Sequence, residues 1–365
     1  MKLVFSKSEL SKAVGIVMKA VPTRTTMNIL ECILIDATTN VIKFTSNDME
    51  LGIETIVEGE IIEKGKVAIE AKLFSEIVRR FPDNEVTIST DANYTSLITC
   101  EKSKINIAGK SGEDFSFLPI IDKDKMITIS QFNLKEIINQ TIFSTAPNDN
   151  NKMMTGELFE VSDNTLKVVG LDGHRIAIRS IQLEGRADDV KAVVPCKTLQ
   201  EISKLMSTDA ENMVNIYFTN ILFEFDNTIV VSRLIEGEYF KINQMLSSDY
   251  ETKVVINKKE FIGSIDRANL LITESEKKPI IINITDGSLE VTVNSSKGKF
   301  NEDINIKKEG KDLMIGFNPK FLMDALRVID DENVDIYLVN PKAPCFIRDA
   351  SQSYIYLILP VNFTA

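Results

Sequence analysis

The sequence predicts an α+β chain built from three tandem repeats. Three observations carry that reading. A helix-like octapeptide with one charge pattern occurs three times, as KLFSEIVR (72–79), KTLQEISK (197–204) and KFLMDALR (320–327). The copies lie about 125 residues apart, and self-similarity at a fixed period marks a repeat architecture. Each copy is preceded by a short apolar stretch (KVAIEA, KAVVPC, LMIGFNP) and followed by an alternating one (EVTIS, MVNIYF, NVDIYL). Alternation at period two is the pattern of a half-buried strand. The length of 365 residues suits two or three domains of roughly 150 residues each.

The elements follow in order within each third. A longer helix comes first, in FSKSELSKAVGIVMKAV (5–21), ISQFNLKEIINQTIFST (129–145) and INKKEFIGSIDRANLLI (256–272), which align without gaps. Leu10, Val14, Val17 and Val21 recur at helical spacing, matched by Leu134 and Ile138 and by Phe261 and Ile265. Strand pairs follow in CILIDATTNVIKF (32–44), LFEVSDNTLKVV (158–169) and IIINITDGSLEVTV (280–293), where Asp-Asn and Asp-Gly mark hairpin turns. Gly112-Glu113-Asp114-Phe115 is echoed by Gly237-Glu238-Tyr239-Phe240. The repeat boundaries fall near 124 and 251, giving domains 1–124, 125–251 and 252–365.

Composition narrows the function. The net charge of −11 excludes a chain-wide basic nucleic-acid binder, so any DNA contact must come from a local basic face. No apolar run approaches the roughly 18 residues of a membrane span, and the N-terminus is too short in apolar residues for a signal peptide. Four scattered cysteines (Cys32, Cys100, Cys196, Cys345) fit a reducing cytoplasm rather than a disulfide or zinc framework. Ala108-Gly109-Lys110-Ser111 resembles the end of a phosphate loop, but Lys104 stands where the first glycine is needed. It reads as a turn. No cofactor is expected.

His174 is the sole histidine, in Leu171-Asp172-Gly173-His174-Arg175. One alternative is an enzyme using Asp172, His174 and Arg175. Two residues apart on one strand-like segment is not by itself a catalytic arrangement, and a structural or partner-contacting histidine is the better reading.

The second helix of each third carries cations at i and i+7: Lys72 and Arg79, Lys197 and Lys204, Lys320 and Arg327. They share one helix face. Lys12 and Lys19 form a similar stripe on the first long helix. Matched basic faces inside an anionic chain suit a sequence-neutral contact with phosphates. The low aromatic content, 7% with no Trp, argues against a base-stacking platform.

Five further motifs complete the pattern: Arg24-Thr25-Thr26 before Ile29-Leu30, Asp114-Phe115 with Leu118-Pro119, Thr155-Gly156-Glu157-Leu158-Phe159, Asp172-Gly173-His174-Arg175, and the ending Leu357-Ile358-Leu359-Pro360-Val361. With these motifs the chain resembles, along essentially its whole length, the bacterial sliding-clamp family, the beta subunits of the replicative DNA polymerase. The resemblance implies three copies of the DNA-clamp fold and a head-to-tail homodimer. That dimer would be a six-domain ring with helices lining the hole and sheets outside. It implies a non-catalytic processivity factor that encircles duplex DNA, is opened by an ATP-driven loader, and tethers the polymerase and other replication and repair proteins. Its place would be the cytoplasm, at replication forks on the nucleoid, with no membrane contact.

The resemblance also implies a pocket for short linear motifs of the polymerase catalytic subunit, the clamp loader and other partners. Carried onto this chain, it comprises Met154, Leu171, Gly173, His174, Arg175, Ile176, Phe240, Met245, Phe321, Pro344, Leu359, Pro360 and Val361. For DNA, Arg24 and Lys152 match loop positions and Lys72 and Lys197 match helix starts; Lys320, Lys12 and Lys19 extend the stripe argument. The chain departs from the common pattern at Leu171 (often Thr), Phe240 (often Pro) and Gln244 (often Arg), and it continues through Asn362-Phe363-Thr364-Ala365. A peptide-binding scaffold of the same fold that does not encircle DNA is the alternative.

Overall fold

The computed structural model describes residues 1–115, 118, 123–273, 276 and 278–363. Pro119 of the Leu118-Pro119 motif, and Thr364 and Ala365 of the C-terminal extension, lie outside the described residues. Six α-helices occur among those described: α1 (Lys7–Val17), α2 (Ala71–Arg80), α3 (Gln131–Asn139), α4 (Cys196–Leu205), α5 (Lys258–Asn269) and α6 (Pro319–Arg327). The three octapeptides are α2, α4 and α6.

Local chemistry sets the helix starts. Ser6 accepts the backbone N–H of Glu9 at 3.2 Å to cap α1, and Asn257 accepts that of Glu260 at 3.1 Å to cap α5. In both helices a glutamate three residues after the cap also favours the positive end of the helix dipole. Glu70 caps α2 through the N–H groups of Lys72 and Leu73, and Asn318 caps α6, where Pro319 needs no partner for its nitrogen. The buried faces repeat as well. In α1 the core residues are Leu10, Ala13, Val14 and Val17; in α5 they are Phe261, Ser264, Ile265 and Ala268. Val21 lies beyond a 3-10 turn, Met18–Ala20, and is only half-buried.

The chain divides into two compact units. The first comprises residues 1–133 and 201–234; the second comprises 134–200 and 235–365. Each unit contains one antiparallel sheet, of 13 strands in the first and 12 in the second. The central third therefore contributes to both. In the first unit its strand Thr228–Ser232 pairs with Leu51–Val57, Thr228 opposite Thr55 and Ser232 opposite Leu51. In the second unit its strand Arg175–Gln182 pairs with Tyr354–Ile358, Arg175 opposite Ile358 and Arg179 opposite Tyr354. Each junction between successive repeats is thus a sheet continued across the boundary, which removes two exposed edges.

The hairpin signals hold. Asp163 and Asn164 have φ of 47° and 61°, the geometry of a tight two-residue turn, and Gly287 has φ 77°. One expectation is corrected. Ala108-Gly109-Lys110-Ser111 is not a turn but the end of a nine-residue strand, Ser103–Ser111. Gly109 is needed there for close approach: a Cβ would lie 2.6 Å from the Tyr94 carbonyl oxygen and 2.8 Å from Val67. The glycine thus serves sheet packing, which spacing alone did not reveal.

Candidate functional site

The Asp172-Gly173-His174-Arg175 motif forms a tight turn into strand Arg175–Gln182. The Asp172 carboxylate accepts the backbone N–H groups of His174 and Arg175 at 3.0 and 3.1 Å, and the Arg175 Nε–H at 3.0 Å. Gly173 sits at φ +82°, a conformation that favours glycine. Asp172 is thereby committed to the turn and to Arg175. It does not orient the His174 imidazole, which removes the geometric basis of a catalytic pair.

Arg175 is nearly sealed, its side chain 5% exposed. It donates to Asp324 at 2.7 Å and to the Phe143 carbonyl, and its guanidinium lies 4.5 Å from the Phe321 ring centre and 5.3 Å from that of Phe143. A buried cation is stable only when paired and hydrogen-bonded in this way. Arg175 is the post on which Phe321 is held. The His174 ring stacks on the other partner of that arrangement, 5.9 Å from Phe321 with planes 21° apart. The Leu359 N–H donates to the His174 carbonyl at 2.9 Å, which brings the chain end to the turn.

Two apolar regions result. Met154, Leu171, Ile176 and Phe240 belong to one cluster with Phe346 and Leu357, in which Leu171 and Ile176 are buried and Met154 and Phe240 are half-buried. A cavity of about 740 Å³ is lined by His174, Phe321 and Val361 together with Ile272, Asn318 and Lys320. Pro344 and Pro360 are half-buried, while Met245, Leu359 and Val361 are exposed large apolar residues. A mostly apolar depression with a few placed polar groups is the form of a peptide or small-ligand site. Sequence reasoning missed Phe143, Asp324 and Phe346 as neighbours of this site and had Leu357 only within the C-terminal motif. Asp324 was visible as the acid of the third octapeptide, but its partner Arg175 is remote in sequence.

Glu157, within the Thr155–Phe159 motif, is fully buried, and neither carboxyl oxygen has a hydrogen-bond partner. Burial lifts its carboxyl to about 8. The nearby Thr141 hydroxyl donates its proton to the Ile137 carbonyl at 2.7 Å, so it offers Glu157 only an acceptor.

The basic candidates divide between the units. Arg24, Lys12 and Lys72 are exposed in the first; Lys152, Lys197 and Lys320 are exposed in the second. Lys19, in the first, is half-buried with its Nζ 3.7 Å from Glu201. The cations further along α2 and α4 are matched by acids: Arg79 meets Glu76 at 2.8 Å and Lys204 meets Glu201 at 2.7 Å. Lys72, by contrast, has no ion pair among the described residues. Lys320 contacts Asp324 at 3.3 Å. No described helix is long and apolar enough to cross a membrane.

Repeats, continued sheets and an apolar groove with its charges engaged in structure define a repeat-built binding protein. Comparison with known proteins supplies the family. The domain signatures of the DNA polymerase III beta subunit match in order, the N-terminal over residues 1–119, the central over 128–241 and the C-terminal over 243–362. A beta sliding clamp of Staphylococcus epidermidis is 34% identical over 358 residues, covering 94% of this chain and 95% of the relative. A crystal structure from Eubacterium rectale, described as a candidate DNA polymerase III beta subunit, has a TM-score of 0.97 at 64% identity; the DNA polymerase sliding clamp of Bacillus subtilis has 0.96 at 31%. Both match over 100% of both chains. The chain belongs to the DNA polymerase III beta subunit family, the bacterial sliding clamps. Its function is that of a non-catalytic processivity factor for DNA polymerase. The family binds DNA, forms homodimers and takes up polymerase and other proteins through a peptide-binding pocket.

Proposed function

We propose that two copies of this chain close head to tail into a ring around duplex DNA, each copy supplying three clamp repeats (1–124, 125–251, 252–365). The observation that carries this reading is the pattern of repeat junctions. Two of three equivalent joints are made within the chain, by Leu51–Val57 with Thr228–Ser232 and by Arg175–Gln182 with Tyr354–Ile358. The equivalent strands left over are the 103–108 part of Ser103–Ser111 and the 298–305 part of Gly298–Gly310. Among the described residues each of these is paired on one side only. Such edges invite a partner strand. The antiparallel register of the two internal joints, carried to the third, sets Lys104 beside Asn301 and Glu302 of the second copy. A heterologous contact that closes after two subunits yields a ring.

Within it, Arg24, Lys12, Lys19, Lys72, Lys152 and Lys197 supply phosphate contacts that bind without reading sequence. Lys320 differs from these six in opening on the cavity beside His174 and Phe321. The groove for partner motifs consists of Met154, Leu171, Gly173, His174, Arg175, Ile176, Phe240, Met245, Phe321, Pro344, Leu359, Pro360 and Val361. Leu171 and Ile176 form its floor, and Arg175 holds Phe321 in place. The site of action is the cytoplasm, at replication forks on the nucleoid.

Retention on circular DNA tests the ring. Labelled protein is loaded onto nicked plasmid with a matched loader, free protein is removed, and the plasmid is cut once. Release on cutting is expected; persistence on the linear product refutes topological linkage. Replacing Lys72 and Lys197 by Ala lowers the salt slope of DNA binding by about 0.9 for each phosphate that is no longer neutralised. An unchanged slope removes them from the DNA surface.

A further inference from the structure

The cavity of about 740 Å³ extends beyond the His174–Phe321 pair onto residues that the groove reading does not include: Asn269, Thr273, Lys278 and Lys320 among them. Two of these are cations on separate elements. Lys320 lies in the first turn of α6, its side chain 72% exposed. Lys278 is an exposed residue ahead of strand Ile280–Thr285, with no ion pair among the described residues.

The acids nearby are already engaged. Asp324 gives the same oxygen, Oδ2, to Arg175 at 2.7 Å and to Lys320 at 3.3 Å. The shorter and more buried contact takes most of that charge, since the Arg175 side chain is 5% exposed. Asp172 is held by the turn and by Arg175. Glu276 accepts the Ser296 N–H at 3.4 Å and, among the described residues, is the remaining acid close to Lys278. Among the described residues, Asp172, Asp324 and Glu276 stand against Arg175, Lys278, Lys320 and the neighbouring Lys297, three acids to four cations.

We infer that this basin receives acidic residues flanking a partner's groove-binding motif, with Lys278 and Lys320 as the two charges that meet them. The occupant is therefore a peptide with an apolar motif and an acidic flank. Continuity with the His174–Phe321 wall and complementarity of charge argue for it together. Lys320 then serves partner choice rather than DNA. The inference rests on the groove reading above.

The test uses the full-length protein and fluorescence polarisation. The probe is a labelled peptide spanning the clamp-binding motif of the polymerase catalytic subunit, made with two Asp or two Asn at each flank. At low salt the Asp form is expected to bind about fivefold tighter, the sum of two screened ion pairs, and the advantage disappears at high salt. The chain carrying Lys278→Ala and Lys320→Ala binds both forms alike, and Lys278→Glu with Lys320→Glu reverses the preference. Equal binding of both forms by the unsubstituted protein overturns the inference while leaving the groove intact. Binding of neither form refutes the groove itself. A drop in salt slope on DNA for Lys320→Ala equal to that of Lys72→Ala returns Lys320 to DNA and also overturns it.

Discussion

Glu157→Gln isolates a single buried carboxyl by exchanging it for a neutral side chain of the same shape. An ordinary glutamate ionises near 4.5, whereas burial raises Glu157 to about 8. The folded chain thus holds this proton more tightly than the unfolded one. Stability from this group is complete below about pH 4.5 and is lost as pH rises toward about 8, where the folded carboxyl itself ionises. At 1.36 kcal/mol per pKa unit, keeping Glu157 protonated at pH 7 costs about 3 kcal/mol, approaching roughly 5 kcal/mol above pH 8. Glutamine carries no such dependence. The variant's stability relative to the parent should therefore rise by about 1.4 kcal/mol per pH unit between pH 5 and 8 and then level off. Urea unfolding of parent and variant at pH 5, 6, 7, 8 and 9 reads this directly. Thermal melting should show a gain of about 2–4 °C for each kcal/mol in a unit of this size. A difference that stays constant from pH 5 to 8 refutes the reasoning, because it means that the carboxyl finds water or a partner in the folded chain.

Arg175→Ala leaves Asp172 and Asp324 facing each other without their shared cation and should destabilise the second unit by about 3–5 kcal/mol, read by urea unfolding. Arg175→Lys should recover only part of this, since an ammonium cannot reproduce the planar contacts to two carboxylates and two rings. Phe321→Ala removes the stack on His174 and should weaken motif-peptide binding about tenfold by fluorescence polarisation, with plasmid retention unchanged. Lys104→Glu should weaken self-association in sedimentation equilibrium, and adding Glu302→Lys should restore it; no change in either variant refutes the register proposed for the joint between copies.

Much of the fold was legible because it rests on local rules. The helices announced themselves through Leu10, Val14 and Val17 and their counterparts Phe261 and Ile265, all of which are buried. The hairpins were marked by Asp163-Asn164 and Asp286-Gly287, whose turn geometry is a matter of two residues. The division of the central third between two sheets was not legible. Strand Thr228–Ser232 is a short apolar run, and nothing within it specifies Leu51–Val57 as its neighbour. Edge pairing is decided by which backbone is left unpaired in three dimensions. Ala108–Ser111 was missed for a related reason: Gly109 looks like a turn residue, but its role is close packing against Tyr94 and Val67. Of the residues proposed for the groove, His174 and Arg175 are picked out in the sequence by their motif. Phe143 and Asp324, which hold Arg175 by a carbonyl and a salt bridge, were hidden as its partners because contacts across so many residues leave no trace in spacing.

The continued sheets have a consequence for where such a ring can part. Two of its joints per copy join strands of one chain, so each strand sees its neighbour at an effective concentration on the order of millimolar, however dilute the protein. The joint between copies has the same backbone chemistry but no tether. At nanomolar protein the difference is six decades, or on the order of 8 kcal/mol. Chemically similar seams therefore differ in strength through connectivity alone. Peptide-chain continuity fixes the gate in advance: dilution, or a machine that pulls, opens the seam between copies long before either seam within one.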